Sequence, residues 1–415
     1  MLIRGVVSSP IRGVVGSPVL SGGNGAYLDF DFRYPTQGYW VNGTPYAQFT
    51  DIPGATSTGG AGFGTAQRND VWQSIPANAP LIGDGGLGVY EARTNSAGSP
   101  LALNNQTVWA TVSGAGAAPY GGSSPGGDSP AWIVTGGGIA TSRIQAIVSA
   151  LLDTPQSLSI WFRQGSAPTF HVAVFDAPVT TRLAQASITF SGGEPTISNT
   201  VGSFITAPYI TPDDDGWWLL RYTVSSGAFS SLRMMLYPDA NFGTGSTVFW
   251  APNIKPGPDI NDPPILQTTG LPATRTAVAQ SVGGLVLPSG DFDIEQEFKI
   301  GPLGAQRRPF EYHNGTDDER LIVIQNSSGG LFASVVISGV STQIGSTAAP
   351  LPAGANTLAS LQRRGGNWRF AVNEAQVGGD LSAGVPAVNA VTFGHRRNVT
   401  EFLNSTISRH IVRPA

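Results

Sequence analysis

The chain has 415 residues, with 54 glycines, 31 prolines, 40% hydrophobic residues and only 12% charged ones. That length exceeds a single core, and the composition excludes a disordered chain and predicts an all-β fold of two or three domains with many turns. A formal charge of −4 excludes a broad basic field for nucleic acid, and the absence of cysteine excludes disulfides, thiolate metal sites and a cysteine nucleophile.

The first elements form a repeat. Ile3-Arg4-Gly5-Val6-Val7-Ser8-Ser9-Pro10 is followed at once by Ile11-Arg12-Gly13-Val14-Val15-Gly16-Ser17-Pro18. A unit ending in proline cannot run as a helix, because proline removes a backbone donor and drives the preceding residue into the extended region. Residues 1–26 therefore read as an extended docking arm and joint, meeting a larger assembly through Ile3, Arg4, Val6, Val7, Ile11, Arg12, Val14 and Val15; a frayed terminus is the alternative. Glycine and proline interrupt this segment too often for a secretory signal. No run of about 18 apolar residues follows, so no membrane insertion is expected. A particle released by lysis would place such a chain outside a cell.

Residues 27–103 read as a small, irregular β module, with alternation at Tyr27-Leu28-Asp29-Phe30-Asp31-Phe32. From 104 to 265 the strand pattern sharpens. Leu158, Ile160 and Phe162 alternate with polar residues, as do Phe170, Val172 and Val174. Trp218, Leu220, Tyr222 and Val224 point one way, and Trp217, Leu219, Arg221 and Thr223 the other. Such runs between turn residues predict a jelly-roll sandwich. Ile144, Ile147, Val148 and Leu151 have helical spacing and predict one helix near residues 140–152. The proline-rich stretch from Lys255 to Thr276 reads as a linker, with its core at 266–276. Residues 277–415 read as a second sandwich, with Trp368, Phe370 and Val372 on one face.

Three segments together resemble modular phage and gene-transfer-agent tail or head fibre proteins. Gly86-Leu87-Gly88-Val89-Tyr90-Glu91-Ala92-Arg93-Thr94-Asn95 resembles their "GLLIE-ARTN" signature and runs toward Asn104-Asn105-Gln106-Thr107-Val108-Trp109, like their "N…W" segment. Asp215-Gly216-Trp217-Trp218-Leu219-Leu220-Arg221-Tyr222 resembles the "DGWYR" strand of their carbohydrate-binding-like jelly roll, and Gln267-Thr268-Thr269-Gly270 stands where they have "TTG". In the last sandwich, Tyr312-His313-Asn314-Gly315-Thr316-Asp317-Asp318-Glu319-Arg320-Leu321 resembles "LHDGTDNNRI" of a concanavalin/laminin-G-like domain. Leu403-Asn404-Ser405-Thr406-Ile407-Ser408-Arg409-His410-Ile411 resembles its closing "LNGTISRI". One departure is Pro252-Asn253-Ile254-Lys255, which replaces the family's "QLE". The resemblance implies a virion protein, joined to other virion proteins by its arm, forming a homotrimer and attaching a phage-like particle to host cell-surface polysaccharide. A purely structural decoration or adaptor is the alternative, and a capsule depolymerase a third.

Chemistry is sparsely marked. Asp213-Asp214-Asp215 could hold calcium, or form a turn whose side chains bond their own backbone. Asp317, Asp318 and Glu319 could supply an acid–base pair, but neighbours in one loop rarely straddle a substrate. The four histidines are scattered, and no phosphate loop occurs. No enzyme, cofactor or metal is expected. Glycan contact is better founded, since aromatic rings cover apolar sugar faces and a few polar groups set orientation. The candidates are Tyr312, His313, Asp317 and Asp318 in one loop and Arg396 and Arg397 in another, against a solvated rim, with Trp217 and Arg221 as an alternative platform in the jelly roll unless Trp217 lies under a neighbouring element. Loops at one end of a sandwich cluster, so these two should converge.

Overall fold

The computed structural model describes residues 28–415 except 33–38, 42–43, 59–63, 69–70, 76–78, 84–85, 91, 128, 259–263, 267–271, 276, 278 and 399. The docking residues Ile3 to Val15 lie outside the described residues. Among the described residues the fold is all-β: strands joined by turns, with 3-10 turns at Phe49–Asp51 and Asp214–Gly216 and no α-helix.

One sandwich is inserted into the other. The outer sandwich is built from strands lying before and after the insertion, between Leu28 and Val89 and between Ala279 and Pro414. In its larger sheet the last strand, Ser405–Pro414, lies between Phe292–Lys299 and Leu28–Asp31, with Leu28 opposite Val412 and Phe30 opposite His410. Gly86–Val89 also pairs with Ser405–Pro414. In the facing sheet Ala55–Thr58 forms an edge against Ala279–Gly283. Strand alternation explains the layering. Phe292, Ile294 and Phe298 point inward, while Asp293, Glu295 and Glu297 remain partly exposed. Phe30, Phe32, Tyr39 and Phe49 meet Phe393 in one aromatic cluster. Each such ring contributes about 1.5–3 kcal/mol by leaving water, and Leu28 to Ile52 and Ile82 to Val89 supply side chains to this core. The expected separate module at 27–103 is thereby corrected. Its strands were too short and irregular to show in sequence that they complete sheets begun some 200 residues later.

The inserted sandwich packs two six-stranded antiparallel sheets. One runs Trp109–Val112, Arg143–Ser149, Ser231–Tyr237, Thr169–Asp176, Arg182–Ser191, Glu194–Gly202. The other runs Gly116–Pro119, Trp132–Thr135, Ser246–Pro256, Pro155–Gln164, Trp218–Ser225, Phe204–Pro212. Its core includes Trp109, Phe162, Phe170, Tyr222 and Phe249. The helix expected near 140–152 is a strand. Ile144, Ala146 and Val148 are buried at period two, while Ile147 and Leu151 are exposed. A short apolar run satisfies both periods. β-Branched residues and the ladder offered by Ser231–Tyr237 decide for the strand.

The expected linker is corrected in two places. Lys255 belongs to the strand Ser246–Pro256, opposite Ser157. Ala273–Arg275 is a strand pairing with Arg93–Asn95, so the two crossings between sandwiches lie side by side. The Thr94 and Thr274 hydroxyls share a hydrogen bond of 2.7 Å. Buried Asn95 staples this junction. Its Oδ1 accepts from the amides of Ala97 and Ile254, both at 3.1 Å, and its Nδ2 donates to the carbonyls of Pro252 and Ile265. Arg275 is buried with its guanidinium 4.9 Å from the Tyr90 ring centre. The Arg93-Thr94-Asn95 motif therefore marks the passage into the insertion.

Candidate functional site

The two charged loops of the outer sandwich meet. Strands Arg307–His313 and Arg320–Gln325 flank the first, and the second follows Ala390–Phe393. The second loop folds back across the outer face of its sheet, where the Arg308 amide donates to the Glu401 carbonyl. Asp317 is the hub. Its carboxylate meets Arg320 at 3.0 Å, Arg397 at 3.1 Å and Arg396 at 3.4 Å. Arg397 also donates to the Gly315 carbonyl at 3.0 Å, tying loop to loop. Behind them Glu401 pairs with Arg308 at 2.6 Å and Arg396 at 3.2 Å. Glu311 is fully buried, with Arg320 and Arg308 at 3.6 and 3.7 Å.

The electrostatics follow from this crowding. Burial pushes the Asp317 carboxyl up, but the hydrogen bond from Arg397 and the charges of Arg320 and Arg397 outweigh it and hold the group low. Burial, then the positive charges of Arg397 and Arg320 with His395 beside them, lowers His313 to about 4, so the ring is neutral at pH 7. Its Nδ1 accepts from the Gly315 amide. Asp317 remains 49% exposed, and Arg396 and Arg397 about a quarter. The result is a partly open constellation of three guanidiniums around one carboxylate, with the His313 ring beside it and its Nε2 buried. Asp318 lies beside it, exposed on the same loop.

Tyr312 is not in this loop surface, which corrects its assignment. It alternates inward with Phe310 and is fully buried, its hydroxyl 2.7 Å from His410 Nε2. Gln296 donates through Nε2 to the Pro309 carbonyl, which turns its Oε1 toward His410 Nδ1 at 2.9 Å. His410 thus donates at Nδ1 and accepts from Tyr312 at Nε2. Glu319 is also occupied, accepting from the amides of Ser338 and Ala387.

Trp217 lies under a covering element and is not an open platform. It is 1% exposed and packs with Trp161, Trp250 and Leu219 on the outer side of the inserted sandwich, beneath Tyr120. Its Nε1 donates to the Ser123 carbonyl at 3.0 Å. Trp72, from the strand Val71–Ile75, covers Trp161 edge-on. A tryptophan on the polar side of a strand signals a covering element as readily as an open platform. Arg221, on the same side, donates to the Thr211 hydroxyl. The acidic run is a turn. Asp213 accepts from the Asp214 amide and from Trp161 Nε1, and Asp215 takes a left-handed conformation at φ 53°. Among the described residues no three acidic or histidine side chains are grouped to hold a metal ion.

Sequence reasoning missed a second constellation on the open face of the other inserted sheet. Tyr237, His171 and Ser187 lie side by side across three strands. Gln145, Met235, Ala173 and Gln185 form the next row, and Ile147, Arg233, Phe175 and Arg182 the third. Arg143 closes the first row, its guanidinium 5.6 Å from the Tyr237 ring centre. The signal was the polar half of each alternating strand, which acquires meaning only when the strand order is known.

No protein-family model matches the chain, and no curated protein does. Solved structures with some likeness include the CBM66 carbohydrate-binding module of Bacillus subtilis. It is 9% identical at a TM-score of 0.23, over 33% of this chain and 79% of that one. The tandem CBM22 domains of Paenibacillus barcinonensis Xyn10C are 11% identical at 0.28, over 79% of this chain and all of that one. Domains LG4-5 of the mouse laminin α1 chain are 13% identical at 0.22, over 68% and 87%. These are β-sandwich neighbours, and at such values the likeness says nothing about what this chain binds.

Proposed function

We propose that the chain is a non-catalytic attachment protein of a phage-like particle, holding host surface polysaccharide through the outer sandwich. The observation that carries the glycan reading is the meeting of His313, Asp317, Arg396 and Arg397 on one partly open surface, with donors and an acceptor fixed by mutual ion pairs. Fixed polar groups orient a saccharide's hydroxyls without the entropy loss of free side chains. The fibre-like order of sequence motifs supports the virion setting, the arm as its anchor and a trimeric state. A second reading, a structural adaptor that binds no glycan, draws on the same ion pairs, because Arg396 and Arg397 already have carboxylate partners.

An array of bacterial capsules and lipopolysaccharides, probed with the full chain, separates the two. Saturable retention on one structural class, weakened by Arg396→Ala with Arg397→Ala, supports attachment. Silence across the glycans of the particle's own host supports the adaptor. Unchanged polymer length after incubation separates both from a depolymerase.

A further inference from the structure

The outer face of the inserted sheet carries three arginines, and its nearest acid in register, Glu194, stands on the far edge strand opposite Ser191. Arg143, Arg182 and Arg233 stand on three of four adjacent strands, and among the described residues no carboxylate pairs with any of them. The contrast with the outer sandwich is direct, where Arg308, Arg320, Arg364, Arg369, Arg396 and Arg397 each meet a carboxylate. Two amides hold the arginines in place. Arg143 Nε donates to Gln145 Oε1 at 2.9 Å, and Arg182 donates to Gln185 Oε1 at 3.1 Å. Arg233 Nε is buried without a hydrogen-bond partner. Like charges gathered without counter-charge repel one another, and a bound anion relieves that repulsion.

The remaining residues give the anion its shape. Tyr237 and Phe175 are half-buried rings on the first and third rows, separated by a floor of Met235 and Ala173, both fully buried. Gln145 and Gln185 flank that floor, each opposite a floor residue. Four strands about 4.8 Å apart make each row roughly 14 Å long. A strip of that length, with half-buried rings for apolar faces and guanidiniums for carboxylates, matches a run of sugar units better than a compact ion.

We infer that this face is a second binding site, distinct from the Asp317 loop site, and that it takes an acidic polysaccharide whose carboxylates pair with Arg182 and Arg233, with the nine-tenths-buried Arg143 adding its charge from below. The saccharide part rests on the attachment reading above; the charge rests on the face itself.

The test is affinity electrophoresis of the full chain through gels holding polygalacturonate, alginate or hyaluronate, alongside the methyl-esterified form of each. The wild-type chain should be retarded by at least one acidic polymer and released when its carboxylates are esterified. Arg182→Ala with Arg233→Ala should lose at least tenfold in affinity at an unchanged unfolding midpoint, and the paired lysine substitutions should restore part of it. Arg369→Ala with Arg413→Ala removes equal charge from the outer sandwich and should leave retardation intact. No retardation by any acidic polymer overturns the inference, as does equal loss in the Arg369/Arg413 variant. Equal retardation by acidic and esterified polymers overturns the charge assignment and leaves glycan attachment standing. Loss through Arg396→Ala with Arg397→Ala, but not through the Arg182/Arg233 variant, moves the ligand to the loop site and overturns the second site alone.

Discussion

Trp217 shows how much a single ring can carry away from any ligand. It is sealed beneath Tyr120 and beside Trp161, so Trp217→Ala leaves a cavity and an unpaired Ser123 carbonyl. Chemical unfolding should record a loss of about 3–5 kcal/mol, with glycan retention of the remaining folded fraction unchanged. His410 sets an acid limit on stability. Burial lowers it from 6.5 to about 3, so between those values the unfolded chain binds a proton that the folded chain refuses. Its contribution is complete above the unfolded value and is lost as the pH falls toward 3. The urea midpoint should therefore fall between about pH 7 and about pH 4.5, and His410→Gln should flatten that slope. The proximity of Arg396 and Arg397 to Asp317 was legible, because charged residues gathered in two turn segments have few places to go but toward each other. The inward face of Tyr312 was not, because its alternation with Phe310 begins inside a stretch whose motif reads as a loop.

At the scale of elements, pairing partners decided what local pattern could not. Residues 143–149 carry both a helical and a strand period, and the neighbouring strand Ser231–Tyr237 selects one. The polar face built by Arg143, His171, Arg182 and Tyr237 was equally hidden, since its members come from four strands that are adjacent only in space. The two-strand junction has a testable consequence. Because Arg93–Asn95 and Ala273–Arg275 run antiparallel and adjacent, replacing residues 97–271 by a short flexible linker should leave the outer sandwich folded. Residues 277–415 alone should not fold, since they lack Leu28–Asp31 and Gly86–Val89, which pair with the last strand, and Phe30, Phe32 and Phe49 of the core. Circular dichroism with thermal unfolding of the two shortened chains checks both outcomes. An independent, cooperatively folding 277–415 fragment would contradict the shared core.

For the whole molecule, the proposed docking role of the repeated arm is tested by removing it. Deleting residues 2–20 should yield a soluble protein with an unchanged unfolding midpoint that no longer joins the particle; incorporation at normal stoichiometry would remove the arm from the account. Light scattering of the purified chain should give three copies, and a monomer at all concentrations would exclude the trimer. The all-β class was legible from glycine, proline and period-two runs, whereas the insertion of one sandwich into another left no compositional trace, because both use the same alternating pattern. The most direct measurement of attachment is adsorption of assembled particles to their host cells, comparing the wild-type chain with Arg396→Ala and Arg397→Ala. The account predicts at least a tenfold loss of adsorption, about 1.4 kcal/mol, with particle assembly and the unfolding midpoint unchanged. Adsorption equal to wild type would contradict it.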